Sequence, residues 1–390
     1  MLDRLNQQPP DALLALIALH NADPRSDKID LGVGVYRTAD GATPVFASVK
    51  VAEGKLLETQ GSKAYLGPEG DMGFVKALMP HIFGAASPVH ARLGGMQTPG
   101  GTGAVRLAAA LAMRAGVTHL AVGTPTWPNH NQICADLGLD VVGFAHAAPD
   151  GTANMAALTL ALRSMGKGDA VLLHGACHNP TGIDYTAHQW DHIADLLAET
   201  GVLPILDLAY HGLGDGMEQD AYGVRAVLAK VPEALICYSC DKNFGYYRDR
   251  VGALYALGAS ADDTHKIMTN AYALARANWS MPPDHGAAVV RLILEDEALT
   301  TSWLDELAGM RARIGEVRAR LAEAGTAGTV DLTLLGEQKG MFAMLPLSKE
   351  QVIALREDHG VYMAGNGRIN VAGLTLGNID KFVAALAAVS

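Results

Sequence analysis

The segment DAVLLHGACHNPTG, residues 169–182, joins a short apolar strand to a turn that contains glycine and proline. A helical pattern over residues 187–199 follows, and residues 203–208, LPILDL, form a second apolar strand. Short apolar strands that alternate with helices indicate βαβ units and a mostly parallel, doubly wound sheet. The segment therefore predicts an α/β fold whose ligands bind at the carboxyl ends of the strands.

The same alternation extends along the chain in both directions. Helices are predicted over residues 102–113, 131–137 and 224–229, and strands over 119–123, 140–144 and 234–239. Beyond residue 250 the pattern changes to a long charged helix over 305–324. A smaller α+β segment follows it, with strands over 341–345, 361–363 and 368–371, a helix over 349–359 and a last helix that ends at residue 390.

This pattern predicts two domains. The N-terminal segment, up to about residue 40, shows little strand pattern, and we expect it to pack with the C-terminal tail. The large domain with the doubly wound sheet is assigned to residues 45–305, and the smaller α+β domain to residues 1–44 and 306–390. A chain of 390 residues has the length of about two domains.

The composition indicates a folded protein and excludes several kinds of partner. The chain is 49% hydrophobic and 18% charged, and its formal net charge is −11, which argues against binding to nucleic acid. The apolar stretch over residues 12–19 is far shorter than the ~20 residues that span a bilayer, and no cleavage site follows it. We therefore expect a cytoplasmic protein without a membrane partner.

Four cysteines in a chain of this length do not form a disulfide framework. Cys237 and Cys240 form a C-x-x-C motif, but a zinc site needs a second pair of ligands, and none stands nearby. We interpret both as structural residues and predict no metal site.

Polar residues follow the predicted strands where the strands end. GGTG at residues 100–103 precedes a helix, and the bare N–H groups of a helix N-terminus bind anions such as phosphate. The motif is not a dinucleotide fingerprint, because Arg106 stands where the third glycine belongs, and it lacks the G-K-[ST] of a P-loop.

The other strand ends carry a carboxylate, an amide, hydroxyls and an amine. Asp207 ends one strand and Tyr210 follows it, Asn179 ends another, and Lys242 follows Ser239. A lysine with a lowered pKa can form a Schiff base. A phosphate site, a carboxylate, a hydroxyl and amide pair and an amine together match the requirements of pyridoxal phosphate.

Ordered motifs over nearly the whole chain make the sequence resemble the aspartate/aromatic amino acid aminotransferases, the class I members of the fold-type I pyridoxal-phosphate enzymes. The motifs are IDLGVGVY (29–36), QTPGGTG (97–103), PTWPNH (125–130), CHNPTG (177–182), DLAY (207–210), KNFG (242–245) with Arg250, and GRINVAG (367–373).

The resemblance implies a role for each cofactor-binding residue. Lys242 would hold pyridoxal 5'-phosphate as a Schiff base and move the Cα proton, and Asp207 would pair with the pyridinium nitrogen. Tyr210 and Asn179 would bind the phenolic oxygen of the ring, and Trp127 would stack on the ring. The phosphate would be held by Gly101, Thr102, Ser239, Arg250 and, from the neighbouring subunit, Tyr65, while His130 would support Asp207.

The resemblance also implies how substrates bind. Arg368 would grip the α-carboxylate with Asn179 alongside, Arg276 of the other subunit would bind a distal carboxylate, and Gly34 would lie in a segment that closes over the substrate. The expected protein is a homodimer with shared active sites. It would move amino groups between amino acids and 2-oxo acids, with 2-oxoglutarate as acceptor, by a ping-pong mechanism.

Three residues depart from the family pattern. Asp241 precedes the lysine where serine is usual, and it must point away from a phosphate or pair with a cation such as Arg250. Met281 and Ala64 replace polar residues and make the rim of the pocket more apolar. We therefore expect activity with phenylalanine or tyrosine as well as aspartate.

Two other functions fit the fold class. A nicotinamide-dependent dehydrogenase needs a G-x-G-x-x-G unit after its first strand, which the sequence lacks. A pyridoxal-phosphate sensor without turnover would be expected to carry a DNA-binding module or to lack a substrate arginine, whereas both Arg276 and Arg368 are present.

Overall fold

The computed structural model describes residues 1–7 and 12–390. The helices are α1 (Ala12–Ala22), α2 (Ala47–Thr59), α3 (Met72–Phe83), α4 (Gly100–Arg114), α5 (Pro128–Leu137), α6 (Met155–Arg163), α7 (Ala187–Thr200), α8 (Met217–Asp220), α9 (Tyr222–Lys230), α10 (Ala261–Asn278), α11 (Asp284–Glu295), α12 (Glu297–Glu323), α13 (Lys349–His359) and α14 (Ile379–Val389). The strands are β1 (Ile29–Asp30), β2 (Leu93–Pro99), β3 (His119–Thr124), β4 (Asp140–Ala145), β5 (Asp169–His174), β6 (Leu203–Leu208), β7 (Ala234–Ser239), β8 (Val251–Leu257), β9 (Thr326–Ala327), β10 (Val330–Asp331), β11 (Phe342–Met344), β12 (Val361–Tyr362) and β13 (Arg368–Asn370).

The main sheet has the strand order β2-β8-β7-β6-β5-β3-β4. The strands from β3 to β7 are parallel, and β8 runs antiparallel to both of its neighbours. The predicted α/β fold with a mostly parallel sheet is confirmed.

Two strands of this sheet were not predicted. β2, LGGMQTP, contains adjacent glycines that lower its strand propensity. β8, VGALYAL, is buried along its whole length and follows β7 without a helix between them, so the βαβ pattern does not reveal it. The expectation that the sheet pattern ends at residue 250 was therefore wrong.

The predicted helices and strands of the sheet domain lie where the sequence placed them, with small shifts at their ends. α7 begins at a capping box, in which Thr186 and Gln189 bind each other's backbone N–H groups, and it ends at Gly201 in the left-handed conformation. The long helix α12 starts at Glu297 rather than at residue 305, because the side chain of Asp296 caps it. Six helices were not predicted from the sequence, namely α2, α3, α6, α8, α10 and α11.

Alternate residues of the central strands belong to different hydrophobic clusters. Val171 and Leu173 of β5 lie in one cluster, and Ala170 and Leu172 lie in the other. This alternation buries both faces of the sheet under helices.

A third cluster joins the two ends of the chain. It contains Ile29 and Leu31 together with residues between Val317 and Leu386. β1 pairs in parallel with β12, which confirms that the N-terminal segment packs with the C-terminal tail. The domain boundaries at residues 45 and 305 remain a prediction.

In the described part of the chain, no helix combines the length and the apolar character needed to cross a bilayer.

Candidate active site

The N-terminus of α4 forms a close-packed cradle beside the end of β7. Gly100 has a φ of +69°, which favours glycine. A Cβ at Gly101 would lie 2.9 Å from Cβ of Ser239, and a Cβ at Gly252 would lie 2.5 Å from the backbone of Gly100. Backbone N–H groups at such a helix start are available to an anion.

Asp207 lies buried at the end of β6 and is 4% exposed. Nε2 of His130 donates a hydrogen bond to its Oδ2 over 3.1 Å, and Nδ1 of His130 lies 2.8 Å from Oγ1 of Thr126. Burial by itself would raise the pKa of Asp207, but the hydrogen bond from His130 and the nearby charge of Lys242 bring that pKa below its ordinary value. Asp207 is therefore an ionised carboxylate at neutral pH.

Lys242 projects into the same space from the loop after β7. Its Nζ lies 5.2 Å from the ring centre of Tyr210 and 4.0 Å from Oδ2 of Asp241. Burial lowers the pKa of Lys242, although the charges of Asp241 and Asp207 oppose this shift. A lowered pKa increases the fraction of free amine, which is the nucleophilic form.

Asn179 and Tyr210 form a hydrogen-bonding pair beside the lysine. Nδ2 of Asn179 donates to the hydroxyl oxygen of Tyr210 over 3.2 Å. Within the described residues, the buried Oδ1 of Asn179 has no hydrogen-bond partner. Burial and the charge of Asp207 raise the pKa of Tyr210, so its hydroxyl stays protonated and can donate.

Arg250 lies at the edge of the cradle, next to Asp241. Its Nη1 is 2.6 Å from Oδ2 of Asp241, and it also donates to the carbonyl oxygen of Tyr247. Of the two alternatives considered for Asp241, the structure therefore shows the pairing with Arg250.

Arg368 on β13 faces the site from the C-terminal part of the chain. Its Nη2 donates to the carbonyl oxygen of Gly32 over 3.0 Å, and its Cζ lies 4.8 Å from the ring centre of Phe342. Its buried Nε has no partner among residues 1–7 and 12–390. Burial lowers the pKa of Arg368, and such a guanidinium with a free donor suits a carboxylate ligand.

Comparison with known proteins identifies the family to which the chain belongs. Residues 26–386 match the profile of the family described as aminotransferase class I and II. The chain belongs to this family and is an aminotransferase. It is 48% identical over 375 residues to the tyrosine aminotransferase of Rhizobium meliloti, covering 96% of each chain. It is 42% identical over 397 residues to the aspartate aminotransferase of Escherichia coli, covering 100% of each.

A solved structure agrees with the family assignment. The aromatic-amino-acid aminotransferase of Burkholderia pseudomallei, covalently bound to pyridoxal phosphate, has a TM-score of 0.95 and 34% identity to the chain. The alignment covers 100% of this chain and 99% of that one. Membership of the family favours the aminotransferase over the dehydrogenase considered above.

Two of the predicted site residues of the aminotransferase lie exposed at the surface of the single chain. Tyr65 is 93% exposed, and Arg276 lies exposed on α10, where its Nη1 donates a hydrogen bond to the hydroxyl oxygen of Ser280. The fold of one chain therefore does not bury either residue against Lys242. Three other predicted site residues are half-buried: Thr102 lies on α4, Trp127 directly precedes α5, which carries His130, and Gly34 lies beside Phe342 in the loop after β1.

Two residues next to the site were missed by the sequence analysis. Phe342 packs between Arg368 and Tyr210 and also lies 3.0 Å from the position of a Cβ at Gly34. His174 ends β5 with its ring 5.1 Å from that of His130, and burial lowers the pKa of His174 to about 3, so it is neutral. The position of His174 at a strand end was the available signal, whereas nothing in the sequence marks Phe342.

Proposed function

We propose that this aminotransferase moves amino groups between aspartate or aromatic amino acids and 2-oxoglutarate by a ping-pong mechanism, with Lys242 as the Schiff-base lysine. The observation that carries the proposal is the meeting of a lysine amine, a buried carboxylate and a helix N-terminus at adjacent strand ends. The relatives named tyrosine and aspartate aminotransferases support both substrate classes.

The cofactor is pyridoxal 5'-phosphate, and the residues present fit it. The glycines at positions 100 and 101 bring the helix start directly against Arg250 and Ser239, as a phosphate site requires, and the buried amide oxygen of Asn179 has no partner within the described residues. When bound, pyridoxal phosphate links to the substrate amine through its aldehyde and takes up the electron pair left by the departing Cα proton.

In the proposed mechanism, Asp207 keeps the ring nitrogen protonated and Lys242 transfers the Cα proton. The ionised Asp207 would hold a proton on the ring nitrogen, and His130 keeps the carboxylate oriented for that contact. The free Nζ of Lys242 would accept the Cα proton and deliver a proton to the carbon of the cofactor that carries the transferred nitrogen. The lowered pKa of Lys242 suits this role as a base.

The remaining cofactor contacts orient the ring. Tyr210 and Asn179 would donate hydrogen bonds to the phenolic oxygen, while Trp127, which lies edge-on to His130 at 5.1 Å, would cover one ring face. Gly101, Thr102, Ser239 and Arg250 would hold the phosphate, with the N-terminus of α4 supplying partial positive charge.

Substrate binding is proposed to use two subunits. Arg368 would grip the α-carboxylate over the ring of Phe342, with Gly34 close by in the covering segment. The exposed Tyr65 and Arg276 would reach into the active site of a second copy and bind its phosphate and the distal carboxylate of its substrate. The functional unit is then a homodimer.

We also propose a cytoplasmic location. All four cysteines are free and buried, as expected for a protein of a reducing compartment.

Replacing Arg276 with alanine is expected to separate the two substrate classes. Loss of a charge-assisted contact to the distal carboxylate should reduce kcat/KM for aspartate about 100-fold. Phenylalanine and tyrosine lack that carboxylate and should lose less than about threefold. Steady-state kcat/KM for aspartate, glutamate, tyrosine, phenylalanine and tryptophan measures this directly.

Arg163→Ala is a matched control, because Arg163 is another exposed arginine, at the end of α6. It should leave all five kcat/KM values unchanged. An absence of turnover with any aromatic amino acid in the unmodified protein would reject the proposed dual specificity, and an absence of turnover altogether would favour the sensor.

Mixing two variants that each have little aspartate activity is expected to restore aspartate turnover if the active sites are shared. In a hybrid of Lys242→Ala and Arg276→Ala subunits, one site receives both intact residues and the other receives neither. Random exchange would then recover about a quarter of the unmodified activity. The activity of an equimolar mixture after dissociation and reassociation measures the recovery.

The control for this mixture uses two residues assigned to the same subunit. Lys242→Ala mixed with Asp207→Asn should give no recovery, because neither site of the hybrid is intact. Equal recovery in both mixtures, or in neither, would argue against the shared site.

A further inference from the structure

One buried carboxylate, that of Asp241, lies between the two cations that the proposed function assigns to the cofactor. Its Oδ2 is 2.6 Å from Nη1 of Arg250 and 4.0 Å from Nζ of Lys242. Asp241 is 4% exposed, and its Oδ1 has no hydrogen-bond partner in the part of the chain that the structure describes. Water therefore screens its charge poorly, and that charge acts on both neighbours.

The backbone keeps this ion pair at the edge of the phosphate cradle. The N–H of Asp241 donates to Oγ of Ser239 over 3.3 Å, and Arg250 has a φ of +55°. A Cβ at Gly100 would lie 2.5 Å from Nη2 of Arg250 and 3.4 Å from Oδ2 of Asp241. Both charged groups consequently lie against the helix start that would bind the phosphate.

At this position Asp241 reduces the positive charge that a phosphate meets. Arg250 and the N-terminus of α4 attract an anion, whereas the carboxylate repels it and competes for the same guanidinium. The uncharged serine usual in the resembled family would leave Arg250 fully available. A neutral side chain at position 241 should therefore strengthen phosphate binding.

The same carboxylate acts on the amine of Lys242. The charged and titratable groups that face this amine are Asp241, Asp207, Arg250 and the ring of Tyr210. Burial and Arg250 lower the pKa of Lys242, whereas Asp241 and Asp207 raise it. Without Asp241, the carboxylate of Asp207 would remain to counter the effect of burial, so the pKa of Lys242 would fall further.

We propose that Asp241 is a positioning residue that sets the charge balance of the cofactor site through Arg250 and Lys242. Its carboxylate holds the guanidinium of Arg250 at the edge of the cradle and weakens phosphate binding there. It also favours the protonated form of the nitrogen of Lys242. This inference rests on the proposed function, because it takes Lys242 as the cofactor lysine and the N-terminus of α4 as the phosphate site.

Asp241→Asn tests the inference because it removes the charge and keeps the shape. We expect the apoenzyme to bind pyridoxal phosphate roughly tenfold more tightly, measured by fluorescence titration. Inorganic phosphate should likewise compete with the cofactor at lower concentration. Removing a negative charge disfavours the protonated nitrogen, so the pH midpoint of the visible absorption change of the holoenzyme should fall by about one unit.

Two variants control for charge and shape. Asp249→Asn removes another carboxylate from the same loop, next to Glu53 and His285 rather than Lys242, and should move neither quantity. Asp241→Glu keeps the charge and should keep the midpoint. If Asp241→Asn does not fold, Asp241→Ser carries the same expectations.

The inference would be overturned if Asp241→Asn changed neither the cofactor affinity nor the pH midpoint. It would also be overturned by weaker cofactor binding with an unchanged midpoint, because that result indicates a merely structural role for Asp241. A failure of the proposed function looks different. In that case the unmodified protein would show no visible band, or borohydride would not attach the cofactor to Lys242.

Discussion

Lys242→Ala is expected to lower the rate of amino transfer by at least about 10⁴-fold, because one change removes both the covalent attachment point and the proposed base. The Nζ atom lies between the ring of Tyr210 and the carboxylate of Asp241, and the structure offers no second amine at that place in the described residues. Turnover of aspartate and of phenylalanine should fall together, since the proposed covalent attachment and proton transfer at Nζ do not involve the side chain of the substrate.

Borohydride reduction followed by peptide mapping makes this test specific. The cofactor should be found on the peptide that contains Lys242 in the unmodified protein and should be missing from that peptide in the variant. Lys266→Ala is a control, because Lys266 is an exposed lysine that pairs with Asp263, and both activity and label should persist. A cofactor label on another residue of the unmodified protein would contradict the proposed function.

Asp207→Asn is expected to reduce kcat/KM by about 10³-fold for every amino donor. The amide retains the size of the carboxylate and can still bond to His130, but it carries no charge to hold a proton on the cofactor ring. Because the pKa of Asp207 is below its ordinary value, the carboxylate is ionised throughout the neutral range in the unmodified protein. Steady-state kinetics should show the loss mainly in kcat.

The charge-conserving Asp207→Glu variant should lose much less activity than Asp207→Asn. A cofactor analogue methylated at the ring nitrogen carries the positive charge permanently, so it should restore part of the activity of Asp207→Asn. Equal losses in both variants, without rescue by the analogue, would show that Asp207 acts by its shape and not by its charge.

The strands at the centre of the sheet could be read from the sequence because their environment imposes a simple pattern. β5, β6 and β7 are covered on both faces, so each is a nearly continuous apolar run, and their bounds match the prediction. β2 and β8 escaped prediction because their pairing is antiparallel and β2 contains adjacent glycines.

The contacts within the candidate site likewise include some that could be predicted from the sequence and some that could not. Lys242, Asp207 and Asn179 follow strands that the sequence defines, and carboxyl ends of parallel strands meet at one edge, so their proximity could be predicted. The contact of Phe342 with Arg368 and Tyr210 could not be predicted, since it depends on how the C-terminal segment packs against the sheet.

The sequence by itself determined the alternation of strands and helices and the types of side chain at the strand ends, because both follow from local periodicity and residue chemistry. Only the tertiary structure decided that one carboxylate oxygen of Asp241 lies between Arg250 and Lys242, and that Arg276 and Tyr65 stay exposed in a single chain. Distances between groups far apart in sequence depend on the strand order and on close packing, which no local pattern encodes.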